Sequence, residues 1–317
     1  MNRRKFIETS ILGGTGLTLF NLLNCVRKEK PAEFPFPRRK LGRTGEMLSI
    51  IGFGGILVDR MEQQVANNIV AKAIDRGINY FDVAPTYGNA QEILGSALKP
   101  YRQNCFLACK TTQRGKNDAE RELNESLVKL QTDHFDLYQL HALTTVEDVE
   151  KAFGPNGAME IFLKARQNGK VRFIGFSAHS EQAALLAMEK FDFDTVLFPI
   201  NFVCWYQGNF GPKVVAKARE KQMGILALKA LALTRIPEGE KEPYEKLWYV
   251  PIEDDEVANL AVRFTLSQGT TAAIPPGEEK FFWKAVEIAQ NLTPLTEEEN
   301  QKLRQIAERV EPLFRTE

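Results

Sequence analysis

Cysteine is scarce in this chain, with four among 317 residues, at positions 25, 105, 109 and 204. That is too few for a disulfide scaffold, and Cys105 and Cys109 fall on one strand-like stretch that cannot bend back to pair them. No C-x-x-C occurs and histidine appears only three times, which leaves zinc and iron–sulfur centres short of ligands. Excess charge is missing as well: Lys plus Arg number 41, and so do Asp plus Glu. Nucleic acid or an anionic membrane surface as the main partner therefore has no electrostatic footprint. The apolar run 11–23 falls short of the roughly 20 residues of a membrane-spanning helix. What is present is ordinary for a globular protein, 44% hydrophobic and 26% charged, in a length that permits one large core or two modest domains.

The N-terminus follows the order of a signal peptide. Arg3, Arg4 and Lys5 come first and the apolar run 11–23 follows. Asn2-Arg3-Arg4-Lys5-Phe6-Ile7 resembles a twin-arginine export signal, a route that moves folded proteins. Leu22-Leu23-Asn24-Cys25 looks like a lipoprotein cleavage box, with Asn24 where a small residue is usual. Lipid on Cys25 and an uncleaved anchor are both open, and a buried N-terminal helix is the structural alternative. Residues 1–30 are read as the signal, 31–36 as the linker (within a polar, proline-bearing stretch 27–39), and 37–317 as the folded domain. The expectation is an exported protein, periplasmic or held on the outer side of the inner membrane, with the export machinery as a partner.

Beyond the linker, short apolar runs rich in β-branched residues recur at 48–53, 78–83, 105–109, 135–140, 171–176, 195–200, 224–228 and 270–274. Several are nearly continuous, as strands buried on both faces are. Stretches of helical spacing separate them, such as Val65-x3-Ile69-Val70-x2-Ala73-Ile74 and Leu123-x3-Leu127-x2-Leu130. Eight strands alternating with helices predict an α/β fold, the (β/α)8 TIM barrel. An open doubly wound sheet competes, but its dinucleotide fingerprint is absent: Gly52-Phe53-Gly54-Gly55-Ile56-Leu57 lacks the third glycine. Two irregular inserts are expected, 209–223 and 234–255, the second tipped by Tyr244, Trp248 and Tyr249 and long enough to fold over a barrel mouth. A final helix should start at Thr296, with Glu299 completing a capping box.

In such barrels the reactive side chains stand where strands end. The second strand runs out into Asp82 and, five residues on, Tyr87; the third ends at Lys110 and the fourth at His141. Singly, each has an ordinary explanation as a cap, a loop residue, a solvated strand end or a core histidine. Together at one rim they suit proton delivery to a carbonyl oxygen. A tyrosine near pKa 10 needs a neighbouring cation to act as an acid–base. Lys110 would supply it, Asp82 would orient Lys110, and His141 would hold the substrate oxygen.

These residues lie in segments that resemble the aldo-keto reductases over nearly all of 37–317. The resemblance is carried by Lys40-Leu41-Gly42-Arg43-Thr44-Gly45, Gly52-Phe53-Gly54-Gly55, Asp82-Val83-Ala84-Pro85-Thr86-Tyr87-Gly88, Glu92-x-Leu94-Gly95, Asp136-Leu137-Tyr138-x-Leu140-His141 and Gly169-Lys170-Val171-Arg172-x-Ile174-Gly175-Phe176-Ser177. It implies that Asp82, Tyr87, Lys110 and His141 form a catalytic tetrad with Tyr87 as general acid. It further implies a nicotinamide cofactor, NADP or NAD with NADP the more usual, lying across the barrel mouth. The cofactor contacts it implies fall on Gly54, Ser177, Asn201, Lys229, Ile274, Pro275, Gly277 and Lys280.

Several of these positions depart from the family pattern. Ala178 and His179 follow Ser177 where Asn is common, and Asn201 stands where Gln is frequent. Leu228-Lys229-Ala230-Leu231 replaces Tyr-Ser-Pro-Leu, losing a ring expected on nicotinamide but offering Lys229 to a pyrophosphate. Gly277 turns into a helix N-terminus suited to an anion, yet Glu278 and Glu279 carry the wrong sign. The family's arginine for a 2′-phosphate is replaced near Phe282, with Lys280 or Lys284 as substitutes. The sequence therefore reads as an NAD(P)-dependent oxidoreductase acting on a small carbonyl or alcohol, an aldehyde, ketone or sugar, with pocket walls near Trp205, Tyr206 and Trp248. A nucleotide-binding regulatory barrel with little turnover is the alternative. An isomerase or lyase would need a metal or a second rim carboxylate that the sequence does not offer.

Overall fold

Eight short parallel strands close around one interior in the computed structural model, which describes residues 35–316. In chain order they are β1 (Phe53–Gly54), β2 (Tyr80–Asp82), β3 (Phe106–Thr111), β4 (Phe135–Leu143), β5 (Val171–Ala178), β6 (Thr195–Pro199), β7 (Gly224–Leu228) and β8 (Ala272–Ile274). Each lies beside its neighbour in sequence. The ring is closed by a parallel bridge from Ile51 to Ala273, with Gly52 N–H donating to Ala273 C=O at 2.9 Å. This is the (β/α)8 TIM barrel. The expected signal, the cysteine of its expected lipoprotein box and all but the last two expected linker residues lie outside the described residues. Phe36, the last of the linker, is buried in the core. Among the described residues no helix is long and apolar enough to cross a membrane.

Strand alternation sorts side chains into two layers. Tyr80, Phe106, Ala108, Leu137, Leu197, Leu226, Ala272 and Ile274 form the inner cluster. Their neighbours Phe81, Leu107, Cys109, Tyr138, Ile174, Val196 and Phe198 face outward and pack under the helices. Asp82, Lys110, Gln139 and His141 continue the inward-facing series by steps of two toward the C-terminal rim.

The expected first strand, 48–53, is divided in two. Met47–Ser49 pairs antiparallel with Arg38–Lys40, and only Phe53–Gly54 joins the barrel. The hairpin turns at Gly45, with φ of 87°, and sends Leu41 and Leu48 into the inner cluster as a floor. A hydrophobic plug and a barrel strand look alike in sequence because both are buried. The expected irregular insert 209–223 contains the helix Pro212–Glu220, started by proline in its first turn and burying Val214, Val215 and Ala218. The insert 234–255 does reach the mouth: Ala232–Arg235 pairs with Tyr249–Pro251, and Lys246 Nζ donates to Leu57 C=O at 2.7 Å. The last helix, Glu297–Ala307, carries the expected capping box between Thr296 and Glu299. Arg263 fastens it with a bidentate pair to Glu299 at 2.7 and 2.8 Å.

Candidate active site

At the rim, Asp82 ends β2 and Lys110 is the penultimate residue of β3. Their side chains meet as a hydrogen-bonded ion pair, with Asp82 2% and Lys110 1% exposed. The remaining Asp82 oxygen accepts from Tyr80 Oη at 3.3 Å and Gln139 Nε2 at 3.1 Å. Burial pulls the Lys110 pKa down, but the Asp82 carboxylate paired with it, with a smaller contribution from Tyr87, outweighs burial and the ammonium's pKa is raised. Lys110 is therefore a fixed cation. Tyr80, buried and beside Asp82, has its pKa pushed well above the phenol range and stays a donor.

Tyr87 reaches this pair from the loop after β2. Its ring lies 5.4 Å from Lys110 Nζ and meets the His141 ring edge-on at 6.0 Å. Burial raises the phenol pKa, and the Lys110 charge and hydrogen bond offset part of that rise. Tyr87 thus carries its proton at neutral pH, the state a general acid needs. The loop is held from behind: Asp59 Oδ1 accepts from Asn89 N–H at 3.2 Å, and Arg60 N–H donates to Asn89 Oδ1 at 2.7 Å. Gly88 takes a φ of 51° in this turn.

His141 follows Leu140 on β4. Burial, then the charges of Lys110, His179 and Arg114, lower its pKa to about 2. The imidazole is neutral at working pH and can hydrogen-bond an oxygen without protonating it. Arg114 supports this strand end by donating to His141 C=O at 2.7 Å and Ala142 C=O at 3.2 Å while pairing with Asp148.

All four residues line one cavity of about 310 Å³, near the lower end for small-ligand sites. Of the positions expected to hold a cofactor, Gly54, Ser177, Lys229, Ile274, Pro275 and Gly277 share its wall, together with Lys246, Trp248 and His179. Asn201 does not; it caps the helix Phe202–Tyr206, accepting from Cys204 N–H at 2.8 Å. Lys280 also lies elsewhere, bound to the Tyr244 hydroxyl and 3.5 Å from Glu253, while Lys284 pairs with Asp255. Phe282 is a core residue, edge-on to Phe53 at 5.1 Å. Of the three aromatics expected in the pocket wall, Trp205 and Tyr206 pack instead against Phe264, at 6.0 and 5.2 Å. Glu278 occupies the N-cap position of the helix Glu279–Gln290 without a side-chain capping bond, and Glu279 accepts from Trp283 Nε1 at 2.8 Å.

Does this cavity suit a phosphate-bearing nicotinamide group? Lys229 Nζ lies 4.7 Å from the Trp248 ring centroid and 4.4 Å from that of Tyr249, and no carboxylate among the described residues pairs with it or with Lys246. Burial lowers the Lys229 pKa to about 8. Gly54 and Gly277 keep the wall thin where a Cβ would meet Ile274 at 3.0 Å and Ile56 at 2.6 Å. Two cations without acidic partners and a glycine-lined cradle fit such a group. The sequence reading missed Tyr80, Gln139, Asp59 and Arg114. The first two were accessible to it in principle, since they lie two residues before Asp82 and His141 on the same strand face. Asp59 and Arg114 act through contacts that no spacing encodes.

The sequence profile of the Aldo/keto reductase family matches residues 50–310. Similar curated proteins include an uncharacterized oxidoreductase, YqkF, of Bacillus subtilis, 32% identical over 155 residues, which are 44% of this chain and 48% of that protein. The aldo-keto reductase YhdN of the same organism is 33% identical over 43% of this chain and 45% of its own length. The chain thus spans about half the length of these relatives. Among solved structures, the holo form of aldo-keto reductase AKR11C1 from Bacillus halodurans superposes with a TM-score of 0.68 at 23% identity, covering 89% of this chain and all of that one. An aldo/keto reductase from Klebsiella pneumoniae in complex with NADP and acetate gives 0.67 at 19% identity, over 89% of this chain and 98% of its own. These structural likenesses concern the fold, while the profile spans most of the chain: it belongs to the aldo/keto reductase family.

Proposed function

We propose that this chain is an NAD(P)-dependent oxidoreductase that interconverts a carbonyl and an alcohol, with Tyr87 as general acid. The observation that carries the reading is the buried Asp82–Lys110 pair set against a protonated Tyr87 and a neutral His141 on one cavity. A reduced nicotinamide cofactor, when bound, would supply the hydride for the carbonyl carbon. His141 positions the oxygen, Tyr87 gives it a proton, and Lys110, oriented by Asp82, stabilises the phenolate left behind. Asp82 does not exchange the proton; it keeps Lys110 charged and in place. Lys229, Lys246 and the Gly54 and Gly277 cradle would hold the cofactor's phosphates. NADPH is the proposed hydride donor, by analogy with the aldo/keto reductase from Klebsiella pneumoniae whose structure holds NADP.

The test is NADPH or NADH consumption with a panel of aldehydes, preceded by fluorescence titration of each nucleotide. Tyr87→Phe should lower kcat by about 10²–10⁴-fold while leaving the nucleotide Kd unchanged. Undiminished turnover in that variant removes Tyr87 from the mechanism. Binding without consumption by the unaltered protein would favour a regulatory barrel. Residues 1–30 are proposed to direct export by the twin-arginine route, on the basis of Arg3, Arg4 and the apolar run after them. Native protein found only in the cytosol would refute that.

A further inference from the structure

Gln139 is fully enclosed, at 0% exposure, and forms no part of the cavity wall. It stands on β4 in register with Lys110 on β3. Its Nε2 reaches across the strand of Lys110 to β2 and donates to Asp82 Oδ2 at 3.1 Å, while Lys110 holds Asp82 Oδ1. Gln139 Oε1 is buried as well and has no hydrogen-bond partner among the described residues. Leaving a buried acceptor unpaired is costly. As a packing residue, then, glutamine is a poor choice at this position, because an unbranched apolar side chain of similar length would fill the space without that cost. What offsets the cost is the bond that the other end of the amide makes to Asp82.

We infer that Gln139 is a positioning residue for the reaction: it holds one oxygen of the Asp82 carboxylate while the other takes Lys110, which keeps the ammonium in place and electropositive toward Tyr87. The inference rests on the oxidoreductase reading. A carboxylate with a free second oxygen can turn about its Cβ–Cγ bond and set its whole charge against Lys110. An N–H on that oxygen fixes the carboxylate plane and draws part of the charge away from the pair. The field of Lys110 at the Tyr87 oxygen is stronger as a result, and that field favours the phenolate left after proton transfer. Tyr80 Oη donates to the same oxygen at the longer distance of 3.3 Å, so it supports the amide without replacing it. The other titratable groups around the pair are Tyr87 on the loop after β2, Cys109 on β3 and His141 on β4, all uncharged at neutral pH.

Gln139→Met removes the donor and the unpaired acceptor together. With the full chain, NADPH and an aldehyde that the unaltered protein turns over, kcat should fall about tenfold, the worth of one hydrogen bond to a charged group, with KM and the nucleotide Kd unchanged. The phenol becomes harder to ionise, so the alkaline limb of the kcat profile should move to higher pH. The solvent deuterium isotope effect should grow as proton transfer becomes the slower step. Tm should stay close to that of the parent, since the lost bond and the lost unpaired acceptor offset one another. Gln139→Glu tests the donor itself. While its carboxyl is protonated it offers Asp82 an O–H, so kcat should approach the parent value at acid pH and fall as that proton is lost. A residue that only packs would give a lowered Tm with the pH limb and isotope effect where they were, and that result overturns the inference while leaving the oxidoreductase reading standing. Should Gln139→Met fail to fold, the Gln139→Glu profile decides alone, and a pH dependence matching the parent's overturns the inference. Absence of turnover in the unaltered protein removes the reading and the inference with it.

Discussion

Removing the Lys110 ammonium should cost stability as well as activity, and the two losses can be separated. Lys110→Met keeps most of the stem volume but leaves the Asp82 carboxylate, 2% exposed, with only Tyr80 and Gln139 as donors. Breaking a buried ion pair by deleting one partner typically costs about 3–5 kcal/mol. At about 2–4 °C per kcal/mol for a domain approaching this size, the expected fall in Tm is roughly 6–20 °C. Adding Asp82→Asn removes the stranded charge, and an amide can still accept from the Tyr80 hydroxyl at that position. The double variant should therefore regain about 2 kcal/mol or more over Lys110→Met while remaining as inactive as the single one. Thermal and urea denaturation followed by circular dichroism read the first quantity, and NADPH consumption reads the second. A Lys110→Met protein within about 1 kcal/mol of the parent, or a double variant no more stable than the single, would show that the pair is not the buried, mutually dependent unit described above.

Lys229 gives a pH signature. Its pKa, lowered by burial from 10.5 to about 8, makes the ammonium available below that value and absent above it. NADPH affinity should weaken as pH rises from 7 to 9, and Lys229→Met should bind less tightly with a flat profile; identical profiles would exclude a phosphate contact. The same shift has an opposite effect on stability: the folded chain gives up this proton before the unfolded one, so stability due to Lys229 rises between about 8 and 10.5. Gly88→Ala places a Cβ against Asp59 Oδ1 at a φ of 51°. It should displace the Tyr87 loop, lowering kcat by about 10²-fold for a stability loss of only about 1–2 kcal/mol, and an unchanged kcat would show that this turn does not position Tyr87.

What was legible in the sequence follows from periodicity. Once β2, β3 and β4 are placed, alternation alone puts Asp82, Lys110 and His141 inside the rim, and parallel pairing of Lys110 with Gln139 fixes their heights. Tyr87 was legible through the loop motif that carries it. The hairpin 38–49 was not, because Leu48 is as buried as any barrel residue and burial is all that a hydrophobic run reports. The helix Pro212–Glu220 passed as a linker since its polar face, Lys213, Lys217 and Glu220, dilutes a short apolar stripe. Lys280 and Asn201 show another limit: each has the right chemistry for a cofactor, but spacing does not reveal that Lys280 binds Tyr244 or that Asn201 serves as a helix cap.

The two lysines of the cavity show why composition of a site matters less than pairing within it. Lys110 and Lys229 both suffer desolvation, and for both it is the largest influence on the proton. Lys110 nonetheless ends with a raised pKa, because the paired Asp82 carboxylate answers the charge directly. Lys229 has only aromatic faces beside it, which attract a cation but do not neutralise it, and its pKa falls to about 8. An anion arriving beside Lys229 would do for it what Asp82 does for Lys110, taking up a proton at neutral-to-alkaline pH as it binds. The barrel therefore holds one cation fixed by its own carboxylate and a second whose counter-charge must come from the ligand. On the proposed reading, that division separates the group that would handle the proton from the group that would recognise the phosphate. It would also let the proposed tetrad be intact in a chain whose expected cofactor contacts differ from the family pattern at several positions.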